Sequence, residues 1–137
     1  MPKIGSLKGA PELPPKNASS KMVRSIDRQN EAAKSLAQAG YDIEQLPNIK
    51  KNAANLDLKI NREFADVFSP RTNNPISVLM TVAEKVEKQA LNIVVNLADS
   101  QLTFKQIENA LSARPVDGLK SLYLLKDGQF KVIESGR

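Results

Sequence analysis

Apolar residues recur at helical spacing through Met22, Val23, Ile26, Ala33, Leu36 and Ala37, with Ser19 or Ser20 placed to cap the start and Gly40 to end it, which predicts a first helix. Tyr41 to Leu46 alternates in the manner of a strand and closes at Pro47. Two β-favouring runs, Leu56 to Ile60 and Glu63 to Phe68, flank Asn61-Arg62 and predict a hairpin. Asn74-Pro75 then opens a second helix with an apolar stripe of Ile76, Leu79, Met80, Ala83 and Val86, ending near Gln89. The β-branched run Leu91 to Leu97 reads as a central buried strand. Thr103 with Gln106 forms a capping box for a third helix, with Pro115 beyond its end. Leu119 to Leu125 and Gln129 to Ile133 flank Lys126-Asp127-Gly128, a second hairpin. The order is α-β-β-β-α-β-α-β-β, an α/β (α+β) fold in which a mixed β-sheet is flanked by helices.

Ahead of these elements, residues 1–21 carry Pro2, Pro11, Pro14 and Pro15 together with Gly5 and Gly9, and show no hydrophobic period. They read as a flexible linker or lead, leaving residues 22–137 as the folded domain. Asn48 to Ala54 is polar and loop-like, and carries Lys50 and Lys51.

A chain of 137 residues, 41% apolar and 26% charged, suits one soluble domain with a real core. No apolar run approaches the roughly 20 residues that span a bilayer, so the chain carries no membrane anchor. Cysteine and histidine are both absent. That removes disulfides, thiol nucleophiles, zinc knuckles, Ser-His-Asp triads and histidine-based ribonuclease chemistry. Any hydrolysis must run on carboxylates, Lys, Arg, Ser, Thr, Tyr and a metal. The formal net charge of +5 makes a polyanion a plausible partner, against the plainer reading of a basic surface. Aromatic residues are only 4%, with no Trp, which argues against a base-stacking platform.

The candidate chemistry lies on the first hairpin, where each strand carries one acid, Asp57 and Asp66. Two carboxylates brought together by paired strands repel, and a hard divalent cation between them takes their oxygens as ligands. Asp66 shares its strand face with Phe64 and Phe68. An acid in that setting is functional or is satisfied by a buried cation or arginine. Lys85 sits at the edge of the second helix's stripe, where its amine can reach a neighbouring site, although most such lysines are simply solvated. On the first helix Gln29 and Asn30 fall on the apolar side and Glu31 toward its flank. The plain reading of that tract is helix-surface polarity with a buried amide pair.

Helix, three-stranded meander, helix, strand is the order of the restriction-endonuclease-like PD-(D/E)XK core, and Asp57, Asp66, Lys85 and Glu31 occupy the places of its acids, lysine and first-helix glutamate. The chain has no acid-x-Lys triplet there: Phe68 stands where the lysine would, so Lys85 has to substitute for it. Longer strings carry a closer resemblance: the Arg28-Gln-Asn-Glu-Ala-Ala run, Gly40-Tyr41 with Glu44-Gln45 and Pro47, Asn55-x-Asp57, Phe64-x-Asp66-x-Phe68-x-Pro70, Glu84-Lys85-Val86 and Ile93 to Leu97. Together they resemble the C-terminal nuclease module of contact-dependent growth-inhibition (CdiA-type) toxins, over nearly all of Arg28 to Ile133. The usual Asn-Pro-Asp-Tyr is here Asn55-Leu56-Asp57-Leu58, but the acids are retained.

The resemblance implies a metal-dependent nuclease toxin that cleaves tRNA. It would be secreted or surface-delivered as part of a larger protein, act in the target-cell cytoplasm, and be neutralised in its producer by a cognate immunity protein. In that reading Asp57, Asp66 and Glu31 hold a divalent ion (Mg²⁺, Mn²⁺ or Zn²⁺), Lys85 stabilises developing charge, and Lys50, Lys51 and Lys59 grip the RNA backbone. Two rivals stand beside it: a metal-independent ribonuclease toxin using Lys, Arg and Ser, and a non-enzymatic nucleic-acid or protein binding module.

Overall fold

The computed structural model describes residues 5–9, 11, 13–14, 16–46, 57–88 and 90–134. Ser19, in extended conformation, accepts the Met22 N–H and starts α1 (Ser20–Gln38). The helix therefore begins inside the stretch assigned to the lead. Asn74 caps α2 (Pro75–Glu87) through the Ile76 N–H, with Pro75 in the first turn. Thr103 and Gln106 close a reciprocal capping box on α3 (Phe104–Ala113).

The strands are β1 (Leu7–Lys8), β2 (Ile43–Gln45), β3 (Leu58–Ile60), β4 (Glu63–Phe68), β5 (Asn92–Asn96), β6 (Ser121–Lys126) and β7 (Gln129–Glu134). They lie in one sheet in sequential order. The β1/β2, β4/β5 and β5/β6 pairs are parallel, and β2/β3, β3/β4 and β6/β7 are antiparallel. The expected run of α1, the β2-β3-β4 meander, α2 and β5 is present, as is the hairpin at Asp127-Gly128, whose positive φ values (51° and 78°) suit a tight two-residue turn.

One expectation is corrected. Part of the lead is a strand: Leu7 and Lys8 register with Ile43 and Glu44. The Ile43 N–H donates to the Ser6 carbonyl at 2.8 Å, the Gly5 N–H to the Ala37 carbonyl at 2.8 Å, and the Ser6 N–H and hydroxyl both to Asp42 Oδ1. Gly5 is required by close approach, since a Cβ there would stand 1.9 Å from the Tyr41 carbonyl oxygen. The attachment is made by main-chain hydrogen bonds and by the Asp42 carboxylate, not by apolar packing, and so it leaves no hydrophobic period to read.

Side chains on the two faces of the sheet form two cores. On one, Val78, Leu79 and Val82 of α2 and Ile107 and Leu111 of α3 pack with Ile93, Val95, Leu122 and Leu124. On the other, Ala32, Ala33, Leu36 and Ala37 of α1 pack with Ile43, Leu58, Ala65, Val67 and Val94. β5 is buried at every position: its β-branched centre Ile93-Val94-Val95 faces the two cores, and its end residues Asn92 and Asn96 are buried with hydrogen bonds to Glu63 and Phe64 and to Arg28 and Glu31. Sandwiching the sheet this way brings α1 and α2 to the same end of β4 from opposite faces.

Candidate active site

The β3–β4 hairpin turns through Asn61 (φ +48°) and Arg62 (φ +75°), two left-handed residues whose twist suits a two-residue connection. Its register pairs Ile60 with Glu63, Lys59 with Phe64 and Leu58 with Ala65. At the open end the ladder slips by one residue. Although Ala65 is the partner of Leu58, its carbonyl accepts the Asp57 N–H at 3.2 Å. The slip aims the Asp57 carboxyl at the backbone of β4. Asp57 Oδ2 accepts the Val67 N–H at 2.9 Å, and Asp66 Oδ1 accepts the same N–H at 3.2 Å.

Alternation along β4 sends Ala65 and Val67 into the core beneath α1, and Phe64, Asp66 and Phe68 to the opposite face. There Lys85 Nζ reaches Asp66 Oδ2 at 2.8 Å and lies 5.6 Å from the Phe68 ring centroid. Lys85 is carried by the last turn of α2, which Val78, Val82 and Val86 seat on the sheet. The phenylalanine standing in the triplet's lysine position thus forms the surface over which a lysine from the next helix arrives.

Asp57, Asp66 and Lys85 line a cavity of about 420 Å³ together with Val67, Phe68, Ser69 and two α1 side chains, Ser25 and Gln29. Sequence reasoning missed Ser25, Gln29 and Ser69 as site residues. The legible signal was Gln29 on the apolar side of its helix, with Ser25 one turn earlier. Its neighbour Asn30, half-buried, accepts from the buried Gln45 Nε2 at 2.8 Å, so the amide pair the structure holds joins α1 to β2 and is not formed within the Arg28–Glu31 tract.

The α1 wall is tied down by a clamp that nothing in the sequence pattern announced. Asp99, in the loop after β5, accepts Arg28 Nε at 2.9 Å and Nη2 at 3.0 Å, and Arg24 Nη1 at 2.6 Å. Arg24 Nη2 also donates to the Ser69 carbonyl at 3.2 Å, joining helix, loop and the end of β4. Glu31 belongs to this cluster. Its carboxylate is held by Arg28 Nη1 at 2.9 Å and Asn96 Nδ2 at 3.1 Å, and it does not line the cavity with the two aspartates. Lys59 lies on β3 over the Phe64 ring, outside the cavity, and Lys50 and Lys51 fall outside the described residues.

Burial, reinforced by a hydrogen bond to Asp66 and by its negative charge, pushes the Asp57 carboxyl up to about 9, against the opposing pull of the Val67 N–H and Lys85. At neutral pH Asp57 therefore holds a proton, and Asp66 pairs with Lys85. Asp99 behaves oppositely, since hydrogen bonds from Arg28 and Arg24 hold it down to about 2.

Among the described residues no group of three or more carboxylate, histidine or cysteine side chains converges. Two adjacent carboxylates beside the hydroxyls of Ser25 and Ser69 and the Gln29 amide would suit a hard ion that keeps several waters, as Mg²⁺ does, better than they would a nitrogen- or sulfur-ligated zinc cage.

Residues 54–130 match the family model for the contact-dependent growth inhibition CdiA C-terminal domain. The chain is 37% identical over 132 residues, 95% of its length, to the protein named tRNA nuclease CdiA-2 of Burkholderia pseudomallei strain 1026b, and spans 4% of that relative's length. Its fold is similar to the solved CdiA-CT/CdiI toxin and immunity complex from Burkholderia pseudomallei, with a TM-score of 0.86 and 36% identity, covering 95% of this chain and 99% of that one. With the two hairpin aspartates and the α2 lysine gathered at one cleft, the chain belongs to the CdiA C-terminal domain family of contact-dependent growth inhibition.

Proposed function

We propose that this chain is the nuclease module of a contact-dependent growth-inhibition toxin. It is carried by a larger delivered protein, cleaves tRNA in the cytoplasm of a target bacterium, and is neutralised in its producer by a cognate immunity protein. The observation that carries the reading is the convergence of Asp57 and Asp66 on one amide, with the Lys85 ammonium 2.8 Å from Asp66, in an open cleft. The names of the 37% identical relative and of the matching complex supply the substrate and partner class.

Asp57 and Asp66 are the residues that would hold a divalent ion, which would supply Lewis-acid polarisation of a phosphoryl oxygen. Binding the ion requires Asp57 to give up its proton. Lys85, carried by a well-seated helix, neutralises the charge that builds on the phosphate during attack. Gln29 and Ser25 present an amide and a hydroxyl from the opposite wall to orient the sugar-phosphate. Glu31 acts on the site through Arg28, by fixing α1. The relation of Asp57, Asp66 and Lys85 fits the PD-(D/E)XK arrangement with its lysine moved to the helix.

One observation favours a second reading. The Lys85 ammonium already pairs with Asp66 at 2.8 Å, and burial beside Asp66 favours the protonated form of Asp57, which would let Asp57 act as general acid and Asp66 as base without an ion. Incubating purified chain with total tRNA, with and without EDTA, tests both. Cleavage abolished by EDTA and restored by Mg²⁺ supports the metal site, and EDTA-resistant cleavage supports the acid–base pair. No cleavage in either condition overturns the nuclease reading.

A further inference from the structure

Phe64 precedes Asp66 by two residues on the same face of β4, a step of roughly 7 Å along the strand. Unlike Phe68, which packs on the core, Phe64 is 48% exposed. Its cross-strand partner is Lys59, whose Nζ lies 4.9 Å from the ring centroid. The other ring among the exposed large hydrophobics, Phe130, makes an edge contact with Tyr41. Phe64 is thus a solvent-facing aromatic next to the acidic pair, with a cation already at its face.

We infer that Phe64 and Lys59 form a nucleotide subsite for the RNA substrate: the ring stacks a base flanking the scissile phosphate, and the ammonium takes the neighbouring phosphate. This rests on the nuclease reading. A phosphodiester at the cleft lined by Asp66 and Lys85 has its adjoining nucleotide beside β4, and in one direction along that strand the next outward side chain is Phe64. A π-face stacks any base, so the contact adds affinity without dictating sequence. Lys59, half-buried between Phe64 and its β2 partner Glu44, needs only to swing its ammonium off the ring face to meet a phosphate. The net charge of +5 favours the same polyanionic occupant. The low aromatic content argued against an extended stacking platform, but one ring beside the reacting phosphate suffices for one base.

Steady-state cleavage of tRNA by Phe64→Leu, Phe64→Trp and Lys59→Gln tests this, with binding of the cognate immunity protein measured alongside. Phe64→Leu is expected to raise KM about tenfold with kcat unchanged, and Phe64→Trp to restore wild-type KM. Lys59→Gln should raise KM and flatten its salt dependence. A wild-type KM in Phe64→Leu overturns the subsite while leaving the nuclease reading standing. Loss of immunity-protein binding with KM intact overturns it too, and reassigns the face to the protein partner. Absence of cleavage by the wild-type chain is a different result and removes the nuclease reading itself.

Discussion

Asp57 and Asp66 accept hydrogen bonds from a single amide, the Val67 N–H, at 2.9 and 3.2 Å, so the two carboxyls are held together by the backbone of β4 even without an ion. The arrangement costs stability. With its carboxyl pushed to about 9, Asp57 binds a proton in the folded chain over a range where the unfolded chain, near 3.8, has lost it. Folding stability from this group is therefore greatest at low pH and declines from about pH 4 up to about pH 9. Asp57→Asn should abolish cleavage while raising the melting temperature at pH 7 to 8 and flattening its fall with pH. Thermal melts of both proteins between pH 5 and 9 check this, and parallel curves would count against the assigned proton.

Lys85→Ala removes the only cation that an ion pair places on Asp66 among the described residues. It should lower kcat about 10²- to 10³-fold with little change in RNA affinity. Filter binding to uncleavable RNA beside single-turnover kinetics separates the two effects. Equal loss of binding would make Lys85 a phosphate grip instead.

Asp99→Asn should destabilise the fold at neutral pH by about 1–3 kcal/mol, because two arginines lose a charged acceptor. The sign with pH is opposite to that of Asp57. Asp99 stays ionised in the fold down to about 2, so its contribution is complete above pH 4 and disappears as pH falls toward 2. Denaturant titrations of the two proteins should differ most near neutrality and converge in strong acid.

Deleting residues 1–9 should lower the melting temperature by several degrees, since it strips β1 and the Gly5 and Ser6 hydrogen bonds from the sheet edge. Gly5→Val should do the same through its clash with the Tyr41 carbonyl. Both variants should still cleave tRNA at 25 °C, because β1 lies at the sheet edge, separated from β4 by β2 and β3. Unchanged melting would return this stretch to the role of a passive lead.

Much of this protein was legible in its pattern, because the relevant physics is local. Caps at Ser19, Asn74 and Thr103 set helix starts, the buried run of β5 announced a central strand, and the turns at Asn61-Arg62 and Asp127-Gly128 fixed the hairpins. An acid between Phe64 and Phe68 marked Asp66 as exceptional, and the hairpin brought Asp57 toward it. Other features depend on contacts between residues far apart in the chain. A one-residue ladder slip, which no alternation encodes, aims Asp57 at Val67. Arg28 belonged to a tract that read plainly as helix-surface polarity and Arg24 drew no reading at all, until the fold brought Asp99, more than seventy residues on, against both. Their clamp, and the engagement of Glu31 by Arg28, leave Gln29 and Ser25 as the α1 residues lining the cleft. β1 escaped for the same reason: its main-chain hydrogen bonds to a distant edge demand no particular residue, and its side-chain anchor, Asp42, lies far along the chain from Ser6, so only the assembled sheet could show where residues 5–9 go.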